Sequence, residues 1–198
     1  LGDVYKRQRL ERLEQYAQWG VRMGMLTWNE ENLLACGAGG DPDRGLTALG
    51  REAVRRMQRL NILPDVSHTS DRSFWDIMDL AEGPVIASHS NCRALCDVRR
   101  NLTDEQLRAI RDTGGVVGVN VSHDFVHKEP RQQTAAMLAR HAAHMAEVMG
   151  PEHVACGFDF CEYFGPGYEG CEGMEDCGQA QNCLLYTSPS PRDVEESR

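Results

Sequence analysis

Two stretches on matching frames constrain this chain most: Pro64-Asp65-Val66-Ser67-His68 and Pro84-Val85-Ile86-Ala87-Ser88-His89. Each reads as a short strand closed by a histidine, and residues Asp71 to Ala81 between them have helical spacing. A strand–helix–strand unit of this kind makes its two strands parallel, since antiparallel neighbours need only a short hairpin. Their carboxyl ends then face one rim, where two imidazoles can meet on a single ion. Neutral imidazole is the commonest protein ligand for zinc and related metals. The simpler reading, a hydrogen bond at each strand end, accounts for one isolated histidine better than for two in register followed by Arg99-Arg100-Asn101.

The rest of the chain alternates in the same way. Arg9–Trp19 has helical spacing, with Leu10, Leu13 and Ala17 on one side, and Val21–Thr27 reads as a strand. A Gly-rich loop, Cys36 to Gly45, precedes a helix over Thr47–Leu60 whose apolar face is Leu49, Ala53, Val54, Met57 and Leu60. Thr103 and Gln106 form a capping box for a helix over Asp104–Asp112, which Gly114-Gly115 ends. A strand over Val116–Val121, a helix over Thr134–Met149 and a last strand, His153–Phe158, lead to Asp159. Five strands alternating with helices, and no hairpin signal, predict an α/β parallel sheet. Polar residues sit just after the strands, at Asn29, His68, His89 and Asp159. That is the active-site rim of a (β/α)8 barrel, and no G-x-G-x-x-G follows a strand as a nucleotide fold would require. Five strands do not close eight, so the expectation is the C-terminal portion of a TIM-type barrel.

The two ends read as non-native. Leu1–Gln8 can be encoded by CTC GGA GAT GTG TAT AAG AGA CAG. The reverse complement, read from its second base, gives Cys-Leu-Leu-Tyr-Thr-Ser-Pro-Ser, which is Cys183–Ser190. The DNA resembles a transposon-end adaptor used in sequencing libraries. Residues 1–8 and 183–198 are therefore expected to be adaptor-derived and 9–182 to be the partial barrel domain. Trimming removes four basic and four acidic residues and leaves the net charge of −9 unchanged. An acidic chain without a basic stripe argues against nucleic acid or anionic membrane as partner. No apolar run approaches the ~20 residues of a transmembrane helix. After trimming, Cys36, Cys92, Cys96, Cys156, Cys161, Cys171 and Cys177 remain. An odd, irregular set does not read as a secreted disulfide framework, and a reducing cytoplasmic location is the expectation, with export left open by the trimmed start. Cys171 and Cys177 lack Cys-x-x-Cys spacing and read as loop thiols rather than a zinc knuckle.

Several of these stretches carry a family resemblance. Asp65-Val66-Ser67-His68, Ala87-Ser88-His89-Ser90-Asn91-Cys92-Arg93-Ala94-Leu95, Arg99-Arg100-Asn101-Leu102-Thr103 and Gly115-Val116-Val117-Gly118-Val119-Asn120 closely resemble the membrane (renal-type) dipeptidases, the M19 zinc peptidases. The resemblance runs over Arg9–Asn182 in order and with family-like spacings. It implies a barrel with two zinc ions at the carboxyl rim, joined by a carboxylate and a hydroxide. By position, His68 and His89 are similar to the two histidine ligands of one zinc. Arg100 is similar to the residue that clamps the free carboxylate of a dipeptide, and Asp159 to the aspartate that meets the bridging water and the substrate nitrogen. The chemistry is coherent. Two cations lower the pKa of a shared water and polarise the peptide carbonyl. A guanidinium binds a carboxylate bidentately, and a rim carboxylate can carry a proton to the leaving amine.

Three departures qualify that match. The family's His-x-Asp pair and bridging Glu fall before Arg9, so the resemblance implies ligands for one metal only and a chain that is inactive alone. Trp28 stands where renal-type enzymes carry a carbonyl-contacting histidine, and an indole donates one hydrogen bond without titrating. Gly157-Phe158-Asp159-Phe160-Cys161-Glu162 replaces the Asp-Phe-Asp-Gly of many relatives, keeping Asp159 but altering the loop after it.

Other residues have plainer readings. His123 and His127 follow a strand but read as surface loop histidines. His141 and His144 could chelate a metal on a helix face, yet an outer-ring helix makes packing or exposure the expectation. Arg93 either assists Arg100 or makes a loop salt bridge. Asp65 orients a strand end, and Trp28 reads as a packed rim aromatic. The expected function is a zinc dipeptidase acting on a small dipeptide substrate, and the sequence is compatible with a homodimer. The alternatives are another barrel metal-dependent hydrolase, of deaminase or lactonase type, or a barrel that binds without catalysis. The Arg100 clamp favours a substrate with a carboxylate.

Overall fold

The computed structural model describes residues 10–180, so the expected adaptor-derived ends lie outside the described residues. The chain divides into two compact units: residues up to 88 with 105–116, and residues 89–104 with those from 117 onward.

The first unit begins with helix α1, Arg12–Gln18, and strand β1, Met23–Met25. Helix α2, Ala48–Arg59, starts where Thr47 caps it, its hydroxyl accepting from Gly50 N at 3.1 Å. Strand β2, Leu63–Asp65, pairs parallel with β1, Met23 opposite Leu63 and Met25 opposite Asp65. Helix α3, Asp71–Met78, is capped by Ser70, which accepts from Ser73 N at 3.1 Å. The next stretch continues the parallel ladder through a single bridge, Asp65 to Ile86, with Val66 N donating to Ile86 O and Ile86 N to Pro64 O. On its other side Ala87 N donates to Val116 O. The crossover expected between the two histidine-bearing strands is therefore parallel, as its connection requires. The strands are shorter than expected, with three residues in each paired segment.

The buried face of α2 differs from expectation at both ends, Leu60 falling just past the helix as its half-buried C-cap. Gly50, Ala53, Val54 and Met57 are buried, while Leu49 is 37% exposed. Gly50 takes the inward place because a Cβ there would overlap the Leu34 carbonyl oxygen. Helix α4, Asp104–Asp112, ends at the two glycines as expected. Gly114 takes φ +78°, with its N–H on Arg111 O and that of Gly115 on Ile110 O, a Schellman closure. Gly115 also lies against the backbone of Val85, whose carbonyl oxygen a Cβ would strike. Gly115→Ala is expected to cost roughly 2 kcal/mol or more. Chemical denaturation measures it, and a loss under about 0.5 kcal/mol would mean that the strand gives way freely.

In the second unit β3, Val117–Val119, pairs parallel with β4, Val154–Cys156. The pairing continues past the ladder: Gly157 N donates to Val119 O and Val121 N to Phe158 O. Between the strands lie a short helix α5, His123–Val126, a 3-10 turn over Pro130–Gln132, and α6, Ala135–Met149. Thr134 caps α6, and Gly150 at φ +94° ends it. Its inner stripe is Leu138, His141, Met145 and Met149, so His141 belongs to the core of this unit. No helix of the described residues is long and apolar enough to cross a membrane.

Candidate active site

His68 lies in the first unit, just beyond β2, and is 7% exposed. Its backbone oxygen accepts from Ala38 N at 2.8 Å and from the Thr27 hydroxyl at 3.4 Å. Its ring Nδ1 donates to Asn29 Oδ1 at 2.9 Å. Asn29 follows β1, so two adjacent strand ends fix this imidazole. A proton on Nδ1 leaves the lone pair of the neutral ring on Nε2, the tautomer that ligates a metal through Nε2. Trp28 is 64% exposed, with its ring 6.2 Å from that of His68, so it is an open rim aromatic rather than a packed one. Asp65 orients strand ends, as expected. Its Oδ1 accepts from Ser67 N, the Ser67 hydroxyl and Ser88 N, and its Oδ2 from the Ser88 hydroxyl.

The second unit brings His89, Arg100 and Asp159 together. His89 Nε2 lies 3.9 Å from Asp159 Oδ2, and Arg100 Nη2 donates to His89 O at 3.5 Å. Arg100 is 9% exposed, and its guanidinium carbon sits 5.1 Å from the Phe125 ring centroid, a cation–π contact. Asp159 follows β4 with φ +59°, a left-handed conformation uncommon outside glycine and tolerated by Asp. Its Oδ2 accepts from Asn120 Nδ2 at 3.3 Å, and the Cys161 thiol approaches its Oδ1 at 3.8 Å. Burial, and after it the Asp159 carboxylate beside it, push the Cys161 thiol's pKa up. Among the described residues no group of three or more His, Cys, Asp or Glu side chains is placed to hold a metal. The donor chemistry of the individual residues nevertheless suits zinc: an imidazole held at Nδ1 by an amide oxygen at His68, and an imidazole beside a carboxylate at His89.

The remaining histidines stand apart. His141 is buried, accepting from Cys92 N at Nδ1 (3.0 Å) and donating from Nε2 to Val126 O (2.8 Å). Burial drives its pKa down to about 4. His144 donates to Asp104 Oδ1 at 2.7 Å. These two residues therefore pack rather than chelate. His123 pairs with the neighbouring Asp124, and His127 Nδ1 accepts from Glu129 N. Arg93 bonds loop carbonyls, its Nε donating to Asn101 O at 3.0 Å and its Nη2 to Arg99 O at 3.5 Å, so it braces the Arg100 loop. The seven described cysteines are all thiols, and burial pushes the pKa of Cys92 up to about 12. A cavity of about 550 Å³ in the first unit, lined by Tyr16, Met23, Met25, Trp28, Met57 and Ile62 among others, includes none of the four site residues.

Sequence reasoning missed the asparagines that surround Arg100 and Asp159. Asn91, Asn101 and Asn120 are each 0% exposed. The available signal was position: Asn120 is a polar residue set between valines, and Asn91 and Asn101 lie within two residues of a candidate.

A family model described as membrane dipeptidase (peptidase family M19) matches residues 5–185. An uncharacterised protein in the pqqA 5′ region of Klebsiella pneumoniae is 41% identical over 157 residues, which is 75% of this chain and 58% of that protein. An uncharacterised dipeptidase of Schizosaccharomyces pombe is 41% identical over 171 residues, 83% of this chain and 40% of that protein. The chain thus spans about half the length of the curated relatives it matches. Among solved structures, a metallopeptidase from Rhodobacter sphaeroides, liganded with a phosphinate mimic of the dipeptide L-Ala-D-Ala, superposes with TM-score 0.78 at 30% identity. That match covers 89% of this chain and 51% of the other. The metallopeptidase dipeptidase AC of family M19 gives TM-score 0.79 at 30% identity, covering 91% and 56%. The parallel α/β alternation is accordingly a portion of the (β/α)8 barrel of these dipeptidases.

Proposed function

We propose, on the premise that this chain belongs to the membrane dipeptidase family (peptidase family M19), that the complete protein is a zinc-dependent dipeptidase. The observation that carries the reading is the grouping of Arg100, His89 and Asp159 in the second unit. The dipeptide mimic bound by the Rhodobacter sphaeroides metallopeptidase supports a substrate of that size. Zinc ions held in part by His68 and His89 would supply a water of lowered pKa as nucleophile and would polarise the peptide carbonyl.

The chain's own residues do the rest. Arg100, held by Phe125 and the backbone at His89, offers its fork to the substrate's terminal carboxylate, which orients the peptide. Asp159 takes a proton as water attacks and delivers it to the leaving nitrogen, so both fragments leave as stable species. Asn29 holds the His68 ring in its ligating tautomer. The thiols, with Cys36, Cys92, Cys96 and Cys171 buried, fit a reducing cytoplasmic setting.

Arg100→Lys tests the clamp in the complete protein. For a dipeptide, KM is expected to rise about tenfold or more with kcat changed little, because a point charge replaces a bidentate fork. For the C-terminal amide of the same dipeptide, little should change. Equal weakening on both substrates would overturn the clamp and, with it, the dipeptide reading.

A further inference from the structure

Three fully buried primary amides sit in one small region of the second unit, at Asn91, Asn101 and Asn120. Buried amides are costly unless their polar atoms are met, and here each is used in a directional bond. Asn101 Nδ2 donates to Cys96 O and to Phe125 O, both at 2.8 Å, while its Oδ1 accepts from Asn91 N at 3.3 Å. Asn91 and Asn120 bond reciprocally: Asn91 Nδ2 donates to Asn120 O at 2.8 Å, and Asn120 N donates to Asn91 Oδ1 at 2.9 Å. Asn120 Oδ1 accepts from Ser122 N at 2.7 Å, and its Nδ2 donates to Asp159 Oδ2 at 3.3 Å.

These bonds make one continuous path. It starts at Asn101, which follows Arg100 in the chain, passes through Asn91, two residues beyond His89, and reaches Asp159 through Asn120. We propose that Asn101, Asn91 and Asn120 are positioning residues forming a strut that fixes the span from Arg100 to Asp159, so that the site selects peptides with one carbon between the scissile nitrogen and the terminal carboxylate. The inference rests on the dipeptidase reading of Arg100 and Asp159. With the carboxylate held at Arg100 and the proton delivered at Asp159, the span to be matched runs carboxylate, α-carbon, nitrogen. One added methylene shifts the nitrogen by about 1 Å, and a misplacement of that size costs on the order of 10²-fold in rate. Arg100 lies on a loop, and loops hold such tolerances only when locked by surrounding bonds. Apolar packing could fill the same volume, but amides also fix register through bond direction.

The test compares alanyl-alanine with alanyl-β-alanine, its one-methylene homologue, using the complete zinc-loaded protein. Asn91→Asp keeps the acceptor for Asn120 N but sets an oxygen against Asn120 O, and Asn91→Ala removes both bonds. In variants that keep a cooperative thermal transition, kcat/KM for alanyl-alanine is expected to fall about 10–100-fold. The preference for it over the homologue should narrow about tenfold. A preference unchanged within twofold, with both substrates losing the same factor, would show a merely structural role and overturn the strut. If neither variant folds, hydrogen exchange of the Asn91 and Asn101 side-chain amides in the unaltered protein decides. Protection of about 10³-fold or more supports the strut, and exchange at the rate of an exposed amide overturns it. Failure of the underlying reading looks different: the unaltered protein would then hydrolyse neither dipeptide, or would treat acid and amide alike.

Discussion

Asp159→Asn in the complete protein is expected to lower kcat for a dipeptide by about 10²–10⁴-fold, the usual contribution of a positioned general acid–base. KM should change little, since the clamp at Arg100 is untouched. The substitution is a clean one for a physical reason. Asp159 holds φ +59°, and asparagine enters that left-handed region as readily as aspartate, so the turn after β4 survives. Size is kept as well. What is lost is an oxygen able to take and return a proton beside His89 Nε2, 3.9 Å away. Steady-state kinetics with a thermal midpoint as control measure the effect. A kcat within about threefold of the parent would remove Asp159 from the proton path.

Much of the architecture was legible because local chemistry and topology agree. Pro64 and Pro84 open short extended runs, a helix lies between them, and the only compact arrangement of such a unit is parallel, which Asp65 and Ile86 display. Gly114-Gly115 announced the end of α4, and the structure uses one glycine for its positive φ and the other for its closeness to Val85. The inner face of α2 was misread at Leu49 because hydrophobicity alone cannot report that Gly50 touches the Leu34 backbone. The same limit hid the asparagine strut. Asn91 and Asn120 are 29 residues apart, and their reciprocal bonds exist only once β3 is laid beside the His89 segment. Asn120 still carried a trace, a lone amide in a run of valines, and a polar group in such a run must find a partner. The His89–Asp159 approach belongs with these long-range facts, while each residue's place at a strand end was readable from its own stretch.

Acidification should destabilise the chain through His141, by about 3 kcal/mol between pH 6.5 and pH 4. His141 stands at the spacing of Leu138 and Met145 on the inner stripe of α6, so even an outer-ring helix buries it. Its two ring nitrogens are committed in opposite senses, Nδ1 accepting from Cys92 N and Nε2 donating to Val126 O. A second proton would abolish the acceptor and place a charge in an apolar core, and burial accordingly drives the pKa from 6.5 down to about 4. Above pH 6.5 the folded and unfolded chains both hold a neutral ring, and the group adds no pH dependence. As pH falls below 6.5 the unfolded chain takes up a proton that the folded chain refuses. The stability present at neutral pH is thus lost progressively until the folded pKa is passed near 4. His141→Gln does not titrate, and other acid-sensitive groups are common to both proteins. Urea unfolding across this range should therefore show the parent's advantage over the variant shrinking by about 3 kcal/mol from pH 7 to pH 4. Parallel stability curves would mean that the buried ring accepts its second proton in the folded chain, through a rearrangement of the Cys92 and Val126 contacts.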